Sequence, residues 1–421
     1  LTPDLLPIRR VFNIVNGGTP SAAPENWNGD IAWATPVDLA HCDGGMVSST
    51  QRSLTRAGLE SGSALVPEGS LILSCRAPIG YIAETAVPMA INQGCKGLVP
   101  KEDIDIRFFR YQLSAKTEIL QSLGQGSTFL ELSADTLAEV RLVVPDRSIQ
   151  TRIASELEAE LARMDTLISK KRRLIKLLDE RCSNFVSATV TTGCDSSCEP
   201  STTNRYVRVI PKHWRLMRLR HVVEQIIDTP HKTAPVVDDG EYLVVRTSNV
   251  KKGRLVLDGA RYTDRASWLE WNRRGEPGPG DVLLTREAPI GEACIVPADI
   301  RLCIGQRMVL IRVKQAIVSG EWIVHSIYSG HAQRFIADLS NATTVAHLNM
   351  SDIPDIPIAV PALSEQRQLL SRIRSEIRCH EEAVSMLDTQ INLLAERRQA
   401  LIMAAVTGET PMSGRRLKSM I

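Results

Sequence analysis

At 421 residues the chain is long enough for two to four domains, and 43% hydrophobic with 23% charged residues excludes wholesale disorder. No apolar run approaches 18 residues, and the opening LTPDLLPIRR lacks a signal-peptide core, so a cytoplasmic chain without membrane segments is expected. The formal charge is only +2, weak support for a polyanionic partner, and nine cysteines are an odd number for bridges and are read as reduced thiols.

In chain order, short β-rich runs such as SLILSC and VRLVVP, with the helical stretch RFFRYQLSAKTEILQSL between them, predict a mixed α/β globule over 1–145. A long helix over 146–192 follows. Its apolar positions alternate by four and three residues: Leu157, Leu161, Met164, Ile168, Lys171, Ile175, Leu178, Cys182 and Phe185. A polar linker, 193–203, contains Cys194 and Cys198, whose loose spacing without a second pair favours a solvated linker over a zinc site. A second mixed globule spans 204–360, with DVLLT and MVLIRV as strands, and a second long helix covers 361–408. A basic tail, 409–421, ends the chain.

The order globule, helix, globule, helix is an internal repeat. VVPDRSIQTRIASELEAEL from Val143 recurs as AVPALSEQRQLLSRIRSEI from Ala359, and the offset of 216 residues holds through Val190 and Val406. Applied to the first seam it gives Ile373, Ile377, His380, Val384, Leu387, Ile391, Leu394, Arg398 and Leu401. Two such stripes in one chain most simply bury each other. About 40 residues at 1.5 Å each make a helix of about 60 Å, close to two turns of duplex DNA, so the pair is read as a ruler. Lys171, His380 and Arg398 either fix its register or snorkel at its edge. The run Lys170 to Arg173 is either a phosphate or acidic-partner contact or a solvated helix face.

The globules repeat more faintly. Gly69 to Gly80 matches Gly280 to Gly291, with Ala-Pro-Ile-Gly in both; Ala90 to Gln93 matches Cys303 to Gln306; Trp33-Ala-Thr-Pro is set against Val245-Arg-Thr-Ser, and Gly126-Ser-Thr-Phe against Ala342-Thr-Thr-Val. Charge is not repeated: the four segments 1–145, 146–203, 204–360 and 361–421 carry −4, 0, +4 and +2. An acidic first globule predicts poor DNA binding alone, because phosphate contacts from Lys and Arg supply most of that affinity. Asn-Pro-Pro, the Walker A pattern, His-Glu-x-x-His and Gly-x-Ser-x-Gly are absent, so no catalytic residue and no metal ligand is assigned and a binding protein is expected.

Gly17-Gly-Thr-Pro-Ser21, Trp27, Trp33 to Leu39, Ala77-Pro-Ile-Gly80, Ile91-Asn-Gln93 and Pro361 to Arg367 together carry a resemblance. The layout resembles the specificity subunit of type I restriction-modification enzymes, over essentially the whole chain. The second globule opens with Pro211-Lys-His-Trp214, whereas the first starts at Leu1 without such a Trp, so a missing stretch of about ten residues or a non-ATG start is expected.

The resemblance implies an α+β fold of two mixed α/β target recognition domains in tandem, each followed by a long helix, the two helices pairing as an antiparallel coiled coil. Each domain would read one half of a bipartite, asymmetric sequence in double-stranded DNA. The helices would set the spacer and dock two adenine methyltransferase subunits, with restriction-translocase subunits completing the complex. The chain itself would be non-catalytic and carry no cofactor; S-adenosylmethionine, ATP and Mg would belong to the partners. The second reading is a scaffold binding protein or RNA. As groove readers, turn residues of the right chemistry are expected: Arg76, Asn92, Gln93, Lys96 and Thr128 in the first globule, and Arg246, Asn249, Lys251, Lys252, Arg254, Arg286, Gln306, Arg307 and Thr344 in the second. For each, base contact, phosphate contact and a structural role stay open.

Overall fold

The computed structural model describes residues 4–76, 78–126, 130–193, 198–200, 204–230, 232, 234–340 and 347–407. The chain divides into two compact units, Leu1–Arg172 with Asp388–Ile421, and Arg173–Leu387. These cut across the expected segments: each unit is one globule together with a half of each long helix. The tail 409–421, Cys194 and most of the linker lie outside the described residues.

In the first unit the sheet built on strand Leu71–Cys75 runs Phe12–Asn16, Cys95–Pro100, Leu71–Cys75, Ile79–Thr85, Met46–Val47. The second unit repeats the first four places as Val223–Asp228, Met308–Val313, Val282–Thr285 and Ala293–Ile295. A smaller sheet in each unit carries one parallel pairing, Ala34 beside Ile91 in the first and Val245 beside Ile304 in the second. With Ile91 and Ile304 matched, Ala34 is the equivalent of Val245, so the expected match of Trp33 to Val245 is shifted by one residue. Both central strands are apolar on both faces, Leu71–Cys75 and Val282–Thr285 being buried throughout, as strands covered on both sides must be.

The long helices run Arg147–Thr192 and Leu363–Thr407. Every seam position named above is buried or half-buried, Leu157, Leu161, Met164 and Ile373 being almost fully covered. In the first unit Lys171 Nζ bonds Gln390 Oε1 and Arg398 Nε lies 3.7 Å from Asp165. In the second, His380 Nε2 is 3.0 Å from Asp179 and Arg181 is 3.1 Å from Glu376. In both, partners later in one helix meet partners earlier in the other, which makes the pairing antiparallel. The polar seam residues therefore have cross-helix partners, the arrangement by which such residues fix register. Lys170, Arg172 and Arg173 are exposed and Lys171 is half-buried.

Each globule is seated on the start of the helix that follows it. In the first unit Gln150 Oε1 accepts from Asp105 N (2.9 Å) and its amide donates to Pro145 O (2.7 Å). In the second, Gln366 Oε1 accepts from Ser319 N (3.1 Å) and its amide donates to Pro361 O (3.0 Å). Asp105 and Ser319 are the N-caps of helices Ile106–Ala115 and Gly320–Ile327, so one glutamine in each copy ties a cap backbone to the strand-helix corner. The far ends of the helices pack on the opposite globule's core: Ile402, Ala405 and Val406 join Phe108 and Leu142 in the first unit, and Cys182, Val186 and Val190 join Trp214 and Trp322 in the second.

Candidate nucleic-acid interface

The surface loops follow the central strand of each unit and hang on the same backbone hydrogen bonds. In the first unit Cys75 N donates to Gly94 O (2.8 Å) and Leu132 N to Cys75 O (2.9 Å). In the second, Arg286 N donates to Arg307 O (2.9 Å) and Leu348 N to Arg286 O (3.0 Å). Position for position, Cys75 corresponds to Arg286, Gly94 to Arg307, Arg76 to Glu287 and Glu131 to His347. The frame is shared and the side chains are not.

In the second unit this frame carries a chain of charges. Arg286, 7% exposed, donates from Nε to Leu348 O (3.0 Å) and from Nη1 to Asp228 Oδ1 (3.1 Å), while Nη2 lies 2.9 Å from His347 Nε2. His347 Nδ1 is 2.7 Å from Glu287 Oε1, and the other oxygen of Glu287 is 2.9 Å from Arg307 Nε. In the first unit the same place holds a backbone bridge between Arg76 and Glu131, a buried Cys75 and a glycine.

The structure separates the expected groove readers into two groups. Five turn inward. Arg286 is the clasp just described; Asn249 is fully buried, accepting from Arg246 N (3.1 Å) and donating to Val256 O (2.9 Å). Lys96 lies inside strand Cys95–Pro100 at 8% exposure, and Asn92 closes a turn by accepting from Gly94 N (3.0 Å). Of the three roles left open for them, these placements suit the structural one: a polar group taken out of water must be matched internally, and for Arg286, Asn249 and Asn92 the matching partners are backbone or neighbouring charge. Arg246 also turns back, Nη2 donating to Gly259 O (2.7 Å). Arg76 is half-buried beside Glu131.

The second group faces outward: Gln93, Lys251, Lys252, Arg254, Gln306 and Arg307 are exposed. Gln93 is bonded by the Thr19 hydroxyl. Lys251, Lys252 and Arg254 form a basic hairpin tip, latched where Tyr328 OH donates to Glu292 (2.7 Å) and accepts from Gly253 N (2.9 Å); Lys252 N also donates to Glu292 (2.6 Å). Arg254 is paired with Glu381 of the second long helix. Thr128 and Thr344 lie outside the described residues, as does Ala77 of the first Ala-Pro-Ile-Gly turn.

Sequence reasoning gave no role to Glu287 and read His347 as a lone histidine without ligand spacing, although the repeat alignment places Glu287 opposite Arg76. It also passed over Arg52, whose guanidinium stacks 3.5 Å from the Trp27 ring beside Trp33. The Gly17-Gly18 part of the first motif has a packing cause: a Cβ on Gly17 would stand 1.8 Å from Asn92 O, and one on Gly18 2.0 Å from Gly62 O. Among the described residues no cluster of three His, Cys, Asp or Glu converges as a metal site, and no helix is long and apolar enough to cross a membrane. Burial pushes the thiols of Cys75, Cys294 and Cys303 up to about 12, which leaves them protonated and unreactive.

The sequence profile described as "Type I restriction modification DNA specificity domain" matches residues 6–177 and again 211–381. The chain belongs to this family. It is 24% identical over 418 residues to the type I restriction enzyme MjaIX specificity subunit of Methanocaldococcus jannaschii, covering 96% of this chain and 93% of that one. To the EcoBI specificity subunit of Escherichia coli it is 21% identical over 365 residues, 82% of this chain and 76% of that one. A chain from a structure bearing on complex assembly and conformational transition of the type I R-M system superposes with a TM-score of 0.71 at 15% identity, covering 97% and 98% of the two chains. The HsdS subunit of Thermoanaerobacter tengcongensis gives 0.55 at 16% identity, with 97% of each covered. The fold is thus that of two specificity domains in tandem, and the subunit's role is recognition of a DNA sequence.

Proposed function

We propose that each globule of this specificity subunit reads one half of a bipartite, asymmetric duplex target, through the loops that follow its central strand. The observation that carries this reading is the shared backbone frame bearing unlike side chains, Cys75, Arg76 and Gly94 in one copy against Arg286, Glu287 and Arg307 in the other. Identical frames present equivalent loops to DNA; different side chains on them select different bases, since base edges in the major groove differ in donor and acceptor pattern. The basic tip at Lys251, Lys252 and Arg254 suits the phosphate backbone, which attracts Lys and Arg without regard to sequence.

The paired long helices set the unread spacer and dock two adenine methyltransferase subunits, and restriction-translocase subunits complete a cytoplasmic complex. Catalysis, with S-adenosylmethionine, ATP and Mg, belongs to those partners. The test is exchange of residues 1–145 for the matching globule of a relative, with methylated adenines mapped across a genome. One half of the methylated sequence changes and the other stays; a change in both halves, or in neither, defeats the reading. Lengthening the 193–203 linker tests the spacer assignment separately, because it should alter the tolerated gap and leave both half-sites intact.

A further inference from the structure

Arg307, like Lys252, is an exposed non-glycine residue in the left-handed region (φ +72° and +48°), a conformation that persists where the surroundings hold it, and Arg307 adds to this a carboxylate partner for its side chain. Its carbonyl is held by Arg286 N, and Arg286 is itself fixed at three points. Its side chain is 51% exposed, yet Nε is held 2.9 Å from Glu287 Oε2. That carboxylate is gripped from its other side by His347 (2.7 Å), which leans on Arg286. The half-exposed guanidinium is thus ion-paired through Nε, and its two terminal nitrogens have no partner among the described residues.

We infer that Arg307 is the guanine-reading residue of the second unit's half-site, and that Glu287 and His347 are positioning residues that aim it; this rests on the DNA-reading role proposed above. A phosphate contact needs charge but little aim, and the exposed tip at Lys251 and Lys252 already supplies charge. A bidentate contact to O6 and N7 of guanine needs a planar fork in one orientation, which the Glu287 tether provides. Gln306, the preceding residue, is exposed as well. The matching position in the first unit is Gly94, which has no side chain to offer, so the assignment also says that the two half-sites differ at this step.

The test uses the full chain assembled with its methyltransferase subunits and a plasmid library randomised over the half-site that depends on the second unit. Arg307→Ala should lower the preference for guanine at one base pair by about ten- to a hundredfold, leaving the other half-site as it was. Arg307→Lys should keep overall binding and lose the same preference, because charge is retained and the fork is not. Glu287→Gln should erode preference at that one position, and should change nothing further when Arg307 is already alanine. Unchanged preference at every position in Arg307→Ala overturns the assignment while the half-site split stands. Uniform weakening with a shallower salt dependence makes Arg307 a phosphate contact and overturns it as well. An effect of Glu287→Gln that persists without Arg307 removes the positioning role. If preference at both half-sites collapses in every variant, it is the underlying split between the two globules that fails.

Discussion

The two globules sit on their helices by the same glutamine and by opposite charges. Arg107, the second residue of helix Ile106–Ala115, lies 2.7 Å from Glu158 of the first long helix; the residue in the same place of the second unit is Glu321, and it pairs with Arg374. Gln150 and Gln366 are 216 residues apart, and so are Glu158 and Arg374. One backbone acceptor is likewise kept while its donor changes: Val143 O takes the amide of Gln112 (2.9 Å), and its counterpart Ala359 O takes the indole of Trp322 (2.8 Å). What a duplicated fold preserves, then, is the backbone group that must be satisfied, and any side chain that reaches it will serve. Ion pairs are freer still, because reversing both partners leaves the attraction unchanged.

The largest test of this comparison is in the core. Trp322 and Phe108 occupy the same helical position, third in Gly320–Ile327 and third in Ile106–Ala115, and both are fully covered. Replacing either with alanine should destabilise its own unit by about 4 kcal/mol, and Trp322→Ala by somewhat more because it also strips a buried carbonyl of its donor. Urea unfolding followed by hydrogen exchange, read separately for peptides of the two units, checks this. Equal loss of protection in both units would mean that they unfold as one body.

The glutamine clasp comes next. Gln150→Leu and Gln366→Leu each leave a buried cap N–H and a corner carbonyl without their partner, at a cost of about 2 kcal/mol, and Gln366→Leu also frees Ile317 O, which the same amide holds at 2.9 Å. If the clasp is one device used twice, the second cost exceeds the first by no more than that one bond, about 1 kcal/mol, and neither is felt in the other unit. A twofold disparity would show that the flanking ion pairs, not the clasp, carry the seat.

Acid should separate the units by a comparable amount. Burial holds His331 down to about 4, with Arg334 adding to the effect, and burial lowers His325 also; both are in the second unit. A histidine that resists protonation when folded stabilises fully above about 6.5, and that stability drains as pH falls toward 4, by about 2 kcal/mol for His331 alone at pH 5. In the first unit Asp105 is raised by burial but pulled further down by hydrogen bonds from Arg107 and Arg147, to about 2, so its contribution is lost only as pH drops below the usual carboxylate range. Glu84 runs the other way, pushed up by burial despite Arg110, and favours the folded first unit on acidification. Hydrogen exchange at pH 7 and pH 5 should therefore show the second unit loosening first, and His331→Gln should flatten that dependence.

Much of this architecture was legible before any coordinates. The four-three spacing and the constant offset placed both helices, and the strands SLILSC, DVLLT and MVLIRV fell where apolar runs meet turn residues. The candidate readers were less legible for a physical reason: Arg286 and Arg307 have the same chemistry in matched loops, and only burial, 8% against 51% of the side chain exposed, tells the inward residue from the outward one. The reversed ion pairs were invisible because each joins residues about 50 apart in sequence across a packing contact that no local pattern encodes. Trp33 was set one residue out of register because a single-residue gap in a loop costs nothing in a string comparison, whereas in a sheet it moves every side chain to the other face.

The smallest effect is the reversed pair itself, and it discriminates most finely. Burial, not polarity, should set its strength. Glu158 also reaches Arg110, whose side chain is 7% exposed and fixed to Glu84 at 3.0 Å, so the first seat is a half-buried network; Arg374 is 63% exposed and, among the described residues, pairs with Glu321 alone. Double-mutant cycles on Arg107 with Glu158 and on Glu321 with Arg374, each to alanine, should give coupling of about 1 kcal/mol and about 0.3 kcal/mol, the second fading with added salt. The exchange Glu321→Arg with Arg374→Glu, which gives the second seat the polarity of the first, should then leave stability unchanged within about 0.5 kcal/mol. A larger loss would mean that the sign at this seat is fixed by something beyond the partner, with His325, 4.0 Å from Glu321, the nearest group able to impose it.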